Sequence, residues 1–148
     1  MNIRWIGLAG LCLSVFLVAA ACTESASAPE KPKGPKLTPG EQTAIDFYKA
    51  RYVEGDSKKV KRLLDKKVDW LKAVGKSPNK PISIQPYKGK TLTHDHGTYI
   101  ILTPKQTYIT VEVSQASGKW QVTDFDSIDQ FEVNQVTDEG KWKKVKQP

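Results

Sequence analysis

Scarce residue types exclude several classes of protein. The 148-residue chain has two cysteines and two histidines, too few for a disulfide network or a cysteine-rich zinc site. Its single long apolar run, residues 5–21, excludes a protein with several membrane spans. The nucleophile-elbow, dinucleotide-binding and zinc-protease patterns (GxSxG, GxGxxG, HExxH) do not occur. Gly89-Lys90-Thr91 imitates the end of a phosphate-binding loop, but Ile84 stands where that loop needs its first glycine.

The apolar run itself is typical of a secretion signal. Arg4 gives a positive start, an uncharged stretch follows, and small residues lead into Cys22. The segment resembles a bacterial lipoprotein signal with its lipobox, although Ala19 stands where that motif most often has leucine. The resemblance implies that residues 1–21, including Cys12, are removed and that Cys22 becomes a lipidated first residue. We therefore expect a lipid-anchored protein on the extracytoplasmic face of the cell membrane; an ordinary signal peptide is the alternative.

Residues 22–36 are predicted to be a tether. The stretch from Thr23 to Lys36 is rich in serine, alanine, proline and lysine and contains no large apolar residue. A segment of this composition cannot bury enough surface to fold, so we expect a flexible spacer of about 20 Å. Residues 37–148 are then predicted to form one domain.

The first part of this domain has the helical period. Thr38-Pro39-Gly40-Glu41 predicts a capped helix start, and Gly55 predicts the end of that helix. Asp56 is predicted to cap a second helix that continues through Trp70 and ends near Gly75. Its apolar stripe contains Val60, Leu63, Leu64, Val68 and Leu71, and its opposite, basic face carries Lys58, Arg62 and Lys66.

The second part has the period of strands. Alternating residues predict strands over residues 82–87, 107–114 and 120–125, and a short apolar run predicts another over residues 99–102. Pro81 and Pro86 predict that the first of these is an edge strand. A final hairpin is predicted around residues 138–140, with Phe131, Val133 and Val136 before the turn and Trp142 and Val145 after it.

Helices followed by hairpin-linked strands predict an α+β domain, with helices on one face of an antiparallel sheet of about four to six strands. The segments at residues 47–56, 63–64, 108–113 and 118–125 resemble small NTF2-like (cystatin-like) lipoproteins. The resemblance implies a cone, in which a curved sheet wraps a long helix and often leaves a pocket. It does not fix an activity, because this fold includes isomerases, dehydratases and non-catalytic lipoproteins.

Charge is distributed unevenly along the chain. The formal net charge is +7, yet residues 49–90 are strongly basic and residues 120–140 carry six acids and no base. Nucleic acid is a poor partner for a secreted, lipid-anchored chain. Anionic lipid or wall polymer is the more natural partner for a basic helix face.

Acid–base and metal chemistry have weak support in the sequence. His94-Asp95-His96 could supply two metal ligands, but no third ligand is evident, and a polar turn is the simpler interpretation. Asp124, Asp126 or Asp129 could act as a general base in a pocket, with His94 as its partner. We predict no metal and no cofactor.

The sequence thus predicts a lipid-anchored envelope protein with a non-catalytic binding or accessory domain, whose partner is an envelope protein or a pocket ligand. The test residues are Cys22 for lipidation, Lys58, Arg62 and Lys66 for the basic face, and Tyr48, Tyr52, Trp120 and Phe125 for a pocket or the core. Two alternatives stay open: a small pocket enzyme of the isomerase or hydrolase kind, and an electrostatic docking module.

Overall fold

The computed structural model describes residues 34–65, 74–116 and 118–146. They form α1 (Pro39–Tyr48), a π-helix (Lys49–Glu54), α2 (Ser57–Leu63), β1 (Ile82–Pro86), β2 (His96–Leu102), β3 (Tyr108–Ala116), β4 (Lys119–Ile128), α3 (Gln130–Val136), a 3-10 turn (Glu139–Lys141) and β5 (Lys143–Val145). The strands make one antiparallel sheet in the order β4-β3-β2-β1-β5. The α+β prediction is therefore confirmed. The predicted signal and most of the predicted tether, with Lys66, Val68, Trp70 and Leu71, lie outside the described residues.

The start of α1 is the predicted capping box. The Thr38 hydroxyl accepts a hydrogen bond from the Glu41 backbone N–H at 3.2 Å, and the Glu41 carboxylate accepts one from the Thr38 N–H at 2.8 Å. The helix continues as the π-helix, which Gly55 ends in the left-handed conformation, as predicted. Gly75 packs against Gly55 so closely that a Cβ on Gly75 would lie 2.9 Å from the Gly55 Cα. Both positions therefore need glycine.

The second helix is shorter than predicted. Asp56 caps it, accepting hydrogen bonds from the backbone N–H groups of Lys58 and Lys59 at 3.0 and 2.9 Å. The helix ends at Leu63, and Leu64 leaves it in an extended conformation to form an isolated parallel bridge with Val122 of β4. This bridge ties α2 to the β4 edge of the sheet.

One face of the sheet, here called the inner face, packs on α1, the π-helix and α2. Strand residues of this face alternate with those of the opposite, outer face, as the pleat requires. The buried inner cluster includes Phe47 and Tyr48 from α1 and Ile84, Tyr99, Ile101, Val111, Val113 and Val122 from the strands. No helix among the described residues has the length and apolar character needed to span a membrane.

A β-bulge in β4 changes the predicted alternation. Val113 pairs with Val122, but its neighbour Glu112 pairs with Asp124, so Thr123 is the extra residue. The bulge turns Asp124 to the outer face and places Phe125 on the inner face together with Val122. Strict alternation over the predicted strand 120–125 would have placed Asp124 on the same face as Val122, and the bulge makes that expectation wrong.

The predicted final hairpin is wrong. Residues 130–136 form α3, because Asp129 caps a helix by accepting a hydrogen bond from the Glu132 N–H at 2.8 Å. Val133 of α3 packs on the outer face against Ile100 and Ile128. The sheet therefore carries helices on both faces, with α3 covering part of the outer one.

The prediction that the first strand is an edge is also wrong. Lys143–Val145 forms β5 and pairs with Ile82–Ile84 of β1, so β5 is the edge. Pro86 lies at the end of β1, beyond the residues that pair with β5, and its missing N–H costs no bond there. A short edge strand rich in lysine resists pairing with other chains.

Candidate functional site

A cleft of about 370 Å³ opens at one end of the inner face. The start of α1 forms one wall, the turn before β2 forms another, and the β3–β4 hairpin closes the third side. The lining residues are Thr38, Pro39, Gly40, Leu92, Thr93, His94, Tyr99, Gln115 and Trp120. No carboxylate, lysine or arginine is among these lining residues, so the cleft is nearly uncharged.

Two glycines make room for the aromatic floor of this cleft. A Cβ on Gly40 would lie 2.7 Å from the Tyr99 hydroxyl oxygen and 3.2 Å from Trp120 Cζ3. A Cβ on Gly97 would lie 2.8 Å from the same hydroxyl oxygen. The Tyr99 hydroxyl therefore sits between two backbones that only glycine lets approach this closely.

The Tyr99 hydroxyl is held in its neutral form. Burial raises the pKa of this phenol above its ordinary value of 10.0, a hydrogen bond with Thr38 opposes the rise, and the nearby Glu41 carboxylate adds to it. A phenol with a raised pKa keeps its proton at neutral pH. It can donate and accept hydrogen bonds, and it does not act as a base.

The turn before β2 is fixed by its own hydrogen bonds. The Thr93 hydroxyl donates to Asp95 at 2.6 Å, which lowers the pKa of that carboxyl, and the Thr93 N–H donates to the His96 carbonyl at 2.9 Å. The Gln115 N–H donates to the Asp95 carbonyl at 2.7 Å, joining the turn to β3. The wall of the cleft is thus attached to the sheet.

The structure separates the four predicted pocket aromatics. Trp120, half-buried, lines the cleft, whereas Tyr48 is fully buried in the inner cluster and its ring lies 5.4 Å from that of Tyr52. Phe125 packs on the core, and the Arg51 guanidinium lies 4.7 Å from its ring and 5.2 Å from that of Tyr52. Three of the four are therefore packing residues, and Trp120 alone among them lines the cleft.

The carboxylate buried beside the cleft was not singled out by the sequence. Glu41 is 1% exposed, and the Lys143 ammonium donates to both of its oxygens at 2.8 Å. The capping bond to Thr38 uses the same carboxylate. The sequence signal that could have identified Glu41 as a buried carboxylate is its place in the capping box, on the face of α1 that meets the core. With both oxygens engaged, Glu41 links α1 to β5 and is not poised as a general base.

The acid–base pair considered from sequence is not assembled. Asp124 and Asp126 are exposed on the outer face, and each accepts a hydrogen bond from the backbone N–H of its own neighbour, at 2.9 and 2.7 Å. His94 is exposed and lines the cleft on the inner side. Asp129 is used as the cap of α3. Within the described ranges no group of three potential metal ligands occurs.

The basic face is present in part. Lys58 and Arg62 are exposed on α2, and the Lys119 ammonium donates to the Arg62 carbonyl oxygen at 3.3 Å. The third predicted member, Lys66, lies outside the described residues. These cations lie at the β4 edge of the sheet, away from the cleft floor.

Comparison with known proteins adds no assignment: no family model, no curated protein and no solved structure matches this chain.

Proposed function

We propose that the protein is a bacterial lipoprotein, anchored through lipid on Cys22 at the extracytoplasmic face of the cell membrane, whose domain is a non-catalytic binding module of the cell envelope. The lipobox-like segment before Cys22 supports the anchor. The NTF2-like cone belongs to this proposal too, and the α+β sheet with its buried α1 is compatible with it.

The observation that carries the binding role is the nearly uncharged cleft floored by Tyr99 and Trp120. A half-buried tryptophan offers a flat apolar surface, and the Thr93 hydroxyl oxygen at the cleft wall can still accept a hydrogen bond while it donates to Asp95. This combination suits an uncharged ligand with an apolar face and hydroxyl or amide groups, such as an N-acetylated sugar unit.

The alternative of a pocket enzyme has less support. A catalytic pocket needs a base near a reacting atom, and two described carboxylates beside the cleft are already engaged. Glu41 is held by Lys143 and Thr38, and Asp95 accepts a hydrogen bond from the Thr93 hydroxyl. The His94 side chain has no contact with Asp124 or Asp126 among the described residues. We therefore favour binding over catalysis.

A fluorescence titration tests the cleft. Purified full chain is titrated with short N-acetylglucosamine oligosaccharides while tryptophan emission is followed. We expect saturable quenching whose apparent dissociation constant rises about fivefold or more with Trp120→Ala, because a stacked aromatic contributes of the order of 1 kcal/mol or more. Trp142→Phe is the matched control, since Trp142 packs at the outer cluster. Equal weakening by both variants, or no saturable signal, contradicts the proposed ligand class.

Lipidation is tested separately. Cells that express the chain are fed an alkyne-tagged palmitate, and incorporation is compared between the wild type and Cys22→Ser. We expect label in the wild type and none in the variant, with the variant released from membranes. Label that persists in Cys22→Ser overturns the anchor.

A further inference from the structure

The lysines at the β5 edge form a second basic surface, distinct from the α2 face. Lys36, Lys80, Lys144 and Lys146 are exposed, and none of the four forms an ion pair with a described residue. We call this set the β5 lysines. Lys144 lies in β5 and Lys146 follows it. The pairing of β5 with β1 brings Lys80 to this edge, and the bond from Lys143 to the Lys36 carbonyl oxygen brings Lys36 there.

A groove of about 350 Å³ runs between Lys80 and Lys144. Its floor includes Ser83, Leu102 and Thr103, and no carboxylate lines it. Two cations with hydroxyl groups beside them make a shallow site for an anionic oxygen-rich group such as a phosphodiester.

The predicted tether enters the domain at this same edge. Gly34, Pro35 and Leu37 line a second groove of about 420 Å³, on the side of β5 that faces α1, together with Asp46, Val145 and Lys146. The Lys143 ammonium also donates to the Lys36 carbonyl oxygen at 3.4 Å. The chain is thus fastened to β5 before α1 begins, so the point from which the tether leaves is fixed beside the β5 lysines.

Distance separates the two basic surfaces. Twelve residue steps join Cys22 to Gly34, which is at most about 40 Å when fully extended. Lys58 and Arg62 lie beyond the β4 edge, four strand spacings or about 20 Å across the sheet from β5. A tether of that length can reach either surface, but the described chain leaves the domain beside β5, so the β5 edge is the basic surface nearest to the point of departure.

We propose that the β5 lysines lie on anionic phospholipid headgroups, with the groove between Lys80 and Lys144 receiving headgroup phosphates. The domain then rests with β5 toward the membrane and presents its α2 basic face elsewhere. This inference rests on the proposed lipid anchor, and it replaces the α2 face as the surface that meets lipid.

Lysine footprinting on the whole lipoprotein tests the orientation. Protein incorporated in vesicles of phosphatidylcholine, with or without phosphatidylglycerol, is treated with an amine-acetylating reagent and each lysine is read by mass spectrometry. We expect acetylation of Lys80, Lys144 and Lys146 to slow about fivefold when phosphatidylglycerol is present, and to recover in high salt. Lys58 and Lys61 are expected to react alike in both. Protection of the α2 lysines instead, or of none, overturns the proposal.

Two charge-reversed proteins provide the matched comparison. Lys80→Glu/Lys144→Glu is expected to abolish the protection of Lys146, whereas Lys58→Glu/Arg62→Glu is expected to preserve it. All four positions are exposed, so both variants should fold. If Lys146 loses its protection in Lys58→Glu/Arg62→Glu, the lipid contact depends on the α2 face and the proposal is overturned.

Two further arms separate this inference from the anchor and from a soluble ligand. Flotation with neutral vesicles tests the lipid anchor by itself. If the protein does not float, the acetylation footprint is measured with anionic vesicles added in excess. Protection of the β5 lysines in that experiment still supports their contact with anionic headgroups. Glycerol phosphate in solution should protect none of them. Equal protection by glycerol phosphate would make the groove a soluble-anion site and overturn the membrane contact.

Discussion

The two faces of the sheet are made by the same strands and differ in how they are covered. The inner face is buried under α1, the π-helix and α2, and its strand residues, such as Val111 and Val113, are fully buried. The outer face is apolar only where α3 covers it, and elsewhere it displays Glu112, Asp124 and Asp126. Because burial of apolar area is the main source of stability, the inner face should hold the fold together and the outer face should tolerate change.

Truncation of an inner aromatic should give the largest effect and would test this division directly. Phe47 is fully buried, and its ring lies 4.8 Å from that of Phe125. We expect Phe47→Ala to lower the free energy of unfolding by about 3–5 kcal/mol, measured by urea denaturation. Phe131→Ala on the outer side is the control, since Phe131 is 76% exposed, and should change stability by less than about 0.5 kcal/mol. Similar losses in both variants would contradict the division.

The ion pair between Glu41 and Lys143 should give the next largest effect. Removing one member of a fully buried pair costs about 3–5 kcal/mol, but the Lys143 side chain is 34% exposed, so about 2 kcal/mol is expected for Glu41→Gln. Glu112→Gln on the outer face removes a half-buried partner of the exposed Lys90, at 3.8 Å, and should cost about 1 kcal/mol or less. Urea denaturation measures the free energy of unfolding of both variants. If Glu41→Gln lowers it no more than Glu112→Gln does, the buried ion pair adds no stability beyond that of the outer one.

On the outer face, the packing of α3 on the sheet should contribute less to the free energy of unfolding than the buried ion pair does. Val133→Ala deletes two buried methyl groups and is expected to cost about 1.5 kcal/mol. The loosening should be local: exchange of the Lys88 amide hydrogen, which donates to the Val136 carbonyl at 2.7 Å, should speed up. Exchange in α1 should not change beyond the global loss. If amide exchange becomes faster to the same extent in elements on both faces, α3 unfolds together with the rest of the core.

These contrasts also explain what the sequence could and could not predict. The caps at Thr38 and Asp56 and the turn at Gly55 depend on local geometry, so residue type and spacing were enough. The bulge at Thr123 was missed because alternation carries no sign of an extra residue. The segment 130–136 was assigned to a strand because its apolar spacing is too short to fix a period, although Asp129 with Glu132 was a capping signal.

The candidate site was predicted less completely than the fold. Trp120 was named, but its neighbours Thr38, Gly40 and Tyr99 come from elements distant in sequence, and the packing of α1 on the sheet brings them together. Glu41 was identified as a capping residue, and its second partner, Lys143, is about a hundred positions away. The β5 edge depends on a three-residue strand whose pairing has no local pattern.

The smallest expected effect concerns the charge of Asp56, which caps α2 on the inner side. Hydrogen bonding from the Lys59 N–H is the main cause that lowers the pKa of this carboxyl below its ordinary value of 3.8; burial opposes it, while the Lys58 N–H and the charge of Arg62 act in the same direction. A lowered folded pKa adds stability above about pH 4 that is lost as pH falls through the folded value. Asp56→Asn keeps a good cap without the charge. The difference in unfolding midpoint between wild type and variant should therefore be present near neutral pH and vanish in acid.

An acid on the outer side makes this last comparison sharper. The pKa of Asp138 is lowered mainly by its bonds with Lys141 and Lys88, whose ammonium nitrogens lie 2.8 and 3.1 Å from its oxygens. Exposed ion pairs are screened by salt, whereas a cap made by backbone N–H groups is screened less. We expect the effect of Asp138→Asn to fade in high salt while the effect of Asp56→Asn largely persists, as measured by thermal unfolding at neutral pH. If salt reduces the effects of both substitutions equally, then Asp56 stabilises the fold through the lysine and arginine charges around α2. Both carboxylates would then act through attraction to cations, which salt screens.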